Sequence, residues 1–433
     1  MSLAGVPAPW TRRAILAVIL AGAAIIPGHA SGSAAGPCSG PQCGLAGKVL
    51  WTRLLPGSWT ASDTGGTVLA QGQAYAAAGG DVAAVGFGLT VVAFDLRSGN
   101  WLWTTALSRL PATASIESVR AWPGVVTVGV SIPRPRTGRA VRREVVLGAR
   151  TGARVRSYPA AAYGGAVAAS SAATVIVGRT SVTGYDNKTG KVRWRRRTGK
   201  VPQAWRVDGS NLYVTVAAGG YLGTAPVTAL RQISLGTGAQ RVIRPRGRSF
   251  DGALSGVFDG VVLFSGARGV TAYSAATGQR LWARAGTVPE SVDEVQARLY
   301  LIKGSTLVGV NPDTGARIRG TVAPGSSGLY GVRGGVALGL DNGPEGDAWG
   351  YNVARKRVVW TTPQLPWPHY FVDLSGIGGS AGAASTTVLI TSCDRLGAVR
   401  AASPGLAGVA GPAGRPVQAG QACLHPELVA IRR

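Results

Sequence analysis

One pattern, repeated along most of the chain, limits the fold more than any other feature. It reads VVAFDLRSGNWLW at 91–103, VTGYDNKTGKVRW at 182–194, VTAYSAATGQRLW at 270–282 and LVGVNPDTGARIR at 307–319. Weaker copies are EVVLGARTGARVR at 144–156, LRQISLGTGAQRV at 230–242 and AWGYNVARKRVVW at 348–360, the last with Lys356 in place of glycine. Each copy has the logic of a β-hairpin, with short alternating apolar segments around a turn. Asp95, Asp186, Asn311 and Asn352 stand where a side chain accepts hydrogen bonds from the turn backbone. Gly99, Gly190, Gly278 and Gly315 stand where the chain needs a positive φ. Trp103, Trp194, Trp282 and Trp360 follow four residues after the glycine position, where a large flat side chain covers the neighbouring unit.

Upstream of the hairpins lie further β-rich runs: VAAVG at 82–86, TVIVG at 174–178, VVLFS at 261–265 and LYLIK at 299–303. An inner strand, this run and the two hairpin strands make a four-stranded propeller blade. GKVLWT at 47–52, with Trp51, reads as the second half of a hairpin, and LVAIRR at 428–433 as a first half. Joined, they form one blade from both ends of the chain. Turn positions then fall at 47, 99, 152, 190, 238, 278, 315 and 356, which predicts an all-β, eight-bladed β-propeller of four-stranded antiparallel blades over 47–433. The 65 Gly and 25 Pro agree with many short strands and turns rather than a helical bundle.

The pattern A-x-D-x-x-T-G-x-x-x-W resembles the tryptophan-docking repeat of the pyrroloquinoline-quinone-like propellers, and the resemblance covers nearly all of 45–433. Gly190, Lys191 and Trp194 match it best. That family includes quinoprotein dehydrogenases, an outer-membrane assembly lipoprotein that scaffolds a β-barrel insertase, and secreted propellers. The repeat implies the scaffold and leaves the function open.

The N-terminus predicts export. Arg12 and Arg13 precede an apolar run from Ala14 to Ile26, then Pro27 and small residues. This is the order of a secretory signal. Residues 1–35 are therefore expected to be a signal peptide or membrane anchor, and 36–46 a short linker. An exported chain with Cys38, Cys43, Cys393 and Cys423 suggests two disulfides. Cys393 and Cys423 fall at the base of one long loop, and Cys38 and Cys43 near the opposite face, so the expected pairs are Cys38–Cys43 and Cys393–Cys423.

The formal net charge is +26, and it is concentrated: 23 of the 45 Lys and Arg but only 3 of the 19 Asp and Glu fall between Arg120 and Phe250. Naming the strands of a blade A to D from the axis outward, B–C and D–A loops must share one face. The insertions at 131–143, 217–226 and 393–426 are B–C segments. Arg195, Arg196 and Arg197 lead into a D–A loop, as do Arg244, Arg246 and Arg248. With Arg134, Arg136, Arg139, Arg142 and Arg143 they predict a basic face for an anionic polymer, a membrane surface or a protein partner of the cell envelope. The competing reading is a solvated face with biased composition.

Reactive constellations are sparse. The adjacent Cys-Cys pair that the resemblance would require of a quinone-dependent dehydrogenase is missing. Asp293 with Glu294 and Glu345 with Asp347 are the close acid pairs open to a carbohydrate-active propeller. The cluster Trp367-Pro368-His369-Tyr370 could line a ligand pocket or pack a blade edge. The expected protein is an extracytoplasmic, non-catalytic, monomeric scaffold or binding module. No cofactor or metal is expected, and no nucleic acid partner, because aromatic interleaving for single strands is thin. A quinone-dependent dehydrogenase and a carbohydrate-active propeller are the alternatives.

Overall fold

The computed structural model describes residues 49–55, 59–61, 67–69, 72–73, 75–79, 81–134, 139–160, 165–216, 227–293, 296–304, 306–323, 329–340, 348–361, 370–371, 387–398 and 421–432. The N-terminal 1–44 and Leu45–Arg433 form separate units. The export segment, Cys38 and Cys43 lie outside the described residues, as do Glu294, Glu345, Asp347 and 367–369.

Among the described residues every regular element is a β-strand, and seven sheets have four antiparallel strands each. The first sheet holds Tyr75–Gly79, Val82–Phe87, Thr90–Asp95 and Trp101–Ala106. The second holds Ser115–Trp122, Val125–Arg134, Arg139–Gly148 and Arg154–Ala160. The third holds Ala166–Ala169, Ala173–Val177, Ser181–Asp186 and Val192–Arg197. The fourth holds Pro202–Asp208, Asn211–Val216, Leu230–Ser234 and Gln240–Ile243. The fifth spans Ala253–Phe258 to Arg280–Ala285, the sixth Val288–Asp293 to Arg317–Ala323 and the seventh Leu329–Arg333 to Arg357–Thr361. In the eighth sheet, Thr387–Ala398 pairs with Gln421–Arg432. Val49–Leu54 pairs antiparallel with the same strand over Glu427–Ile431.

The turns form as their residues dictate. Asp95 Oδ1 accepts the amide N–H groups of Arg97 and Ser98 at 3.1 and 3.0 Å. Asn311 Oδ1 accepts those of Asp313 and Thr314 at 3.0 and 2.9 Å. Gly99, Gly190, Gly278 and Gly315 have φ of +67°, +76°, +69° and +65°, and Lys356 takes +54° at the equivalent place. Side chains that alternate along the middle strands fill the space between sheets, as in the cluster of Val261, Leu263, Trp282, Leu299 and Leu301.

Two segments differ from the sequence reading. The stretch 131–143 is largely not a loop, because the ladder of the second sheet continues through Ser131↔Arg142 to Arg134↔Arg139. Alternating residues such as Val130, Ile132 and Val141 let both strands run on past the neighbouring hairpins. Likewise the strands around Cys393 and Cys423 extend to Ala398 and from Gln421, so both cysteines sit within strands. Cys393 stands opposite Pro426, and Cys423 opposite Leu396.

Candidate functional site

Several neighbouring sheets are joined by residues two apart on the fourth strand. Trp103 is buried, and its Nε1–H donates to the Ala149 carbonyl at 2.7 Å. Two residues on, the Thr105 hydroxyl donates to the Gly152 carbonyl at 2.9 Å. Trp282 donates to the Pro312 carbonyl at 2.6 Å, and Arg284 Nε to the Gly315 carbonyl at 3.0 Å. Arg196 Nε likewise donates to the Gly238 carbonyl. Because strand side chains alternate, Trp194 and Arg196 face the next sheet together. A Cβ on Gly238 or Gly315 would sit 2.6 Å from Trp194 or Trp282, respectively. The second sheet has Arg156 in the tryptophan position, and it reaches the Lys188 carbonyl beside Gly190. Inner turns are tied as well: Asp293, fully buried, accepts the N–H groups of Gly334 and Gly335 at 2.7 and 2.6 Å. Asp293 is thereby engaged in holding two sheets together.

The same contacts put the tight turns at one end of the sheets. The connections at the other end carry Arg109, Arg179, Arg197, Lys200, Arg244, Arg246, Arg248, Arg268 and Lys303, with Asp251 as the acid among their described residues. The tight-turn end mixes Asp81, Asp95, Asp186, Asp208, Asp259 and Asp313 with Arg97, Arg150, Lys188, Lys191, Arg355 and Lys356. Among the described residues, charge is therefore segregated by end. Of the arginines named from sequence, Arg134, Arg195, Arg197, Arg244, Arg246 and Arg248 are exposed. Arg136 lies outside the described residues, and Arg139 is placed by its backbone alone. Arg196 is half-buried and turned inward, so it is a link between sheets as well as a cation. Arg142 and Arg143 are half-buried too: Arg142 pairs with Glu117 at 2.5 Å, and Arg143 Nε donates to the Ser157 hydroxyl at 2.9 Å.

Those two arginines border a cavity of about 220 Å³ that sequence reading missed. Its wall combines Glu117, Ser118 and Arg120 from the first strand of the second sheet, Arg142 and Glu144 from the third strand, and Trp205 from the fourth sheet. Glu144, Gly129 and Ser118 share one rung of the ladder. Gly129 lets them meet, since a Cβ there would lie 2.4 Å from Ser118 Oγ and 3.6 Å from Glu144 Oε2. Glu144 is 2 % exposed. Burial pushes its carboxyl up to about 7, against the opposing pull of Arg120, the Ala166 N–H, the Thr127 hydroxyl and Arg142. Arg120 donates in turn to the Ala166 carbonyl. The one sequence signal for this site was Glu144 itself, one of the 3 acids between Arg120 and Phe250, set within a valine-rich strand.

A larger groove of about 680 Å³ opens between the fourth and fifth sheets at the tight-turn end. Two of its ionisable groups are already engaged: Asp208 accepts the Gly260 N–H at 3.3 Å, and Arg241 donates to the Ala275 and Ala276 carbonyls at 2.8 and 3.2 Å. Among the described residues, no group of three His, Cys, Asp or Glu could hold a metal ion, and no helix is long and apolar enough to cross a membrane.

The family described as outer membrane protein assembly factor BamB matches residues 45–141 and 141–311, more than half of the chain. The chain belongs to the BamB family of β-propeller repeats. No curated protein sequence matches it. Similar solved structures include BamB from Moraxella catarrhalis, 19 % identical, covering 74 % of this chain and 95 % of that one at a TM-score of 0.40. A quinohemoprotein alcohol dehydrogenase from Pseudomonas putida is 13 % identical and covers 79 % and 71 % at 0.46. A eukaryotic initiation factor is 13 % identical and covers 77 % and 85 % at 0.45.

In this BamB-family chain the buried Glu144 has a measurable cost. Its folded value near 7 lies above the ordinary 4.5, so between those values the folded chain holds a proton that the unfolded chain has released. Stability from this group therefore falls as pH rises through that window and stays low above it. Glu144→Gln removes the charge while keeping an acceptor for Ala166. It is expected to stabilise the protein by on the order of 3 kcal/mol at about pH 8 and to be nearly neutral at about pH 4. Urea midpoints at the two pH values check this, and an equal effect at both would contradict it.

Proposed function

We propose that the protein is an extracytoplasmic scaffold of eight blades, non-catalytic, that binds an anionic polymer or an acidic envelope partner through the end bearing the long connections. The observation that carries this reading is the segregation of charge: nine described cations against Asp251 in those connections, and a balanced mixture at the tight-turn end. Closure of the eight blades through both chain ends is supported by the pairing of Val49–Leu54 with Glu427–Ile431.

Membership of a family named for outer membrane protein assembly favours a protein partner and an envelope location. The sequence of residues 1–35 supports export, with the first segment cleaved or kept as an anchor. The Cys38–Cys43 and Cys393–Cys423 pairs remain part of this proposal. The second requires the strands around it to shift from the present register, because a disulfide needs Cα atoms within about 7 Å. Engagement of Asp293 between two sheets weighs against its use as a catalytic acid.

The test is retention on a heparin column. The wild type is expected to bind and to be released by salt, because counterion release drives such association. Replacing Arg244, Arg246 and Arg248 together with Ser is expected to lower the eluting salt clearly without shifting the melting midpoint, since exposed charges contribute little to folding. Equal elution of the two proteins would contradict the proposal.

A further inference from the structure

We propose that the cavity between the second, third and fourth sheets is a binding site for one small oxyanion, the carboxylate or sulfate/phosphate group of a ligand, held by Arg120 and Arg142. This site is separate from the polymer-binding loops and does not rest on them. The cavity volume of about 220 Å³ accommodates a group of a few heavy atoms, and its wall has the chemistry for an anion. Two guanidinium groups, Arg120 and Arg142, border it from different strands, and Arg143 lies at its edge. A guanidinium presents several N–H donors in a plane and matches an oxyanion with two parallel hydrogen bonds. Arg120 spends one Nη donor on the Ala166 carbonyl, and Arg142 one on Glu117, leaving further N–H groups on each. The Ser118 hydroxyl adds a neutral donor, and Trp205 closes the wall from the fourth sheet.

Glu144 decides when the anion can enter. The charged groups around its carboxyl are Glu117 and Arg120 on the first strand and Arg142 on its own strand. The third sheet presents backbone at Gly165 and Ala166, and the fourth presents Trp205. With Glu144 ionised, its carboxylate already holds the field of the arginines, and a second anion is repelled. With Glu144 protonated, Arg120 and Arg142 outweigh Glu117 and the carboxyl becomes a donor. Anion binding is therefore linked to uptake of one proton, and no covalent step is involved.

The experiment is calorimetric titration of the full chain with sodium sulfate, at constant ionic strength, at about pH 6 and about pH 8, where sulfate itself does not change charge. One saturable site is expected, with affinity up to about tenfold higher at the lower pH. Glu144→Gln is expected to bind sulfate equally at both pH values, as tightly as the wild type at the lower one. Arg142→Gln, whose partner lies at the cavity edge, is expected to fold and to lose the site. Titration with sodium acetate distinguishes the ligand class: tighter acetate binding points to a carboxylate, tighter sulfate binding to a tetrahedral group. The triple variant Arg244→Ser, Arg246→Ser and Arg248→Ser is expected to keep the site. Absence of saturable binding in the folded wild type would overturn the proposal. So would binding that Arg142→Gln and Glu144→Gln leave unchanged, or binding lost with the three loop arginines.

Discussion

Trp282→Ala is expected to destabilise the protein by about 3–5 kcal/mol, the cost of removing a large buried aromatic. The side chain is 8 % exposed and packs among Val261, Leu263, Val270, Leu299, Leu301 and Val310. Its removal opens a cavity between the fifth and sixth sheets and leaves the Pro312 carbonyl without its donor. Arg284→Ala, which removes only the link to the Gly315 carbonyl two residues along, should cost about 1–2 kcal/mol, less than the tryptophan change. Urea denaturation followed by fluorescence of the remaining tryptophans gives both midpoints. Equal losses would mean that the seam is held by its hydrogen bonds rather than by the buried ring.

Deleting residues 427–433 is expected to have the largest effect on the fold. That segment pairs on one side with Val49–Leu54 and on the other with Thr387–Ser392. Without it, both neighbours become open edges, which cost their ladder bonds and invite association with other copies. The melting midpoint should fall by on the order of 10 °C, with concentration-dependent aggregation. A truncated chain that melts like the full one would show that the two ends of the chain do not hold each other.

The blades were legible because their determinants are local. A turn needs an acceptor at its start and a positive φ at its end, so Asp95 with Gly99 and Asn311 with Gly315 can be read from four or five adjacent residues. Even Lys356 could be placed, since the residues around it still spell the hairpin. The long second-sheet ribbon was not legible: Pro133 and Arg134 read as loop chemistry, while the ladder that runs through them depends on a partner strand. The cavity was hidden for a related reason. Glu117 with Arg120, Glu144 and Trp205 come from three stretches far apart in sequence, and Gly129 leaves the room in which Ser118 and Glu144 meet across the sheet. The charge excess could be counted from sequence, but its partition could not. Arg195, Arg196 and Arg197 are adjacent, yet alternation sends Arg196 to the Gly238 carbonyl and its two neighbours to solvent.

The central claim is that one end of the molecule, not its overall charge, binds the anionic partner. The most direct measurement compares two variants of equal net charge on heparin under the same salt gradient. One carries Ser at Arg244, Arg246 and Arg248; the other carries Ser at the exposed tight-turn residues Arg97, Lys188 and Arg355. The account predicts that the first elutes at clearly lower salt and the second with the wild type. Identical elution of the two variants, both below the wild type, would contradict it and reduce the basic end to a consequence of composition.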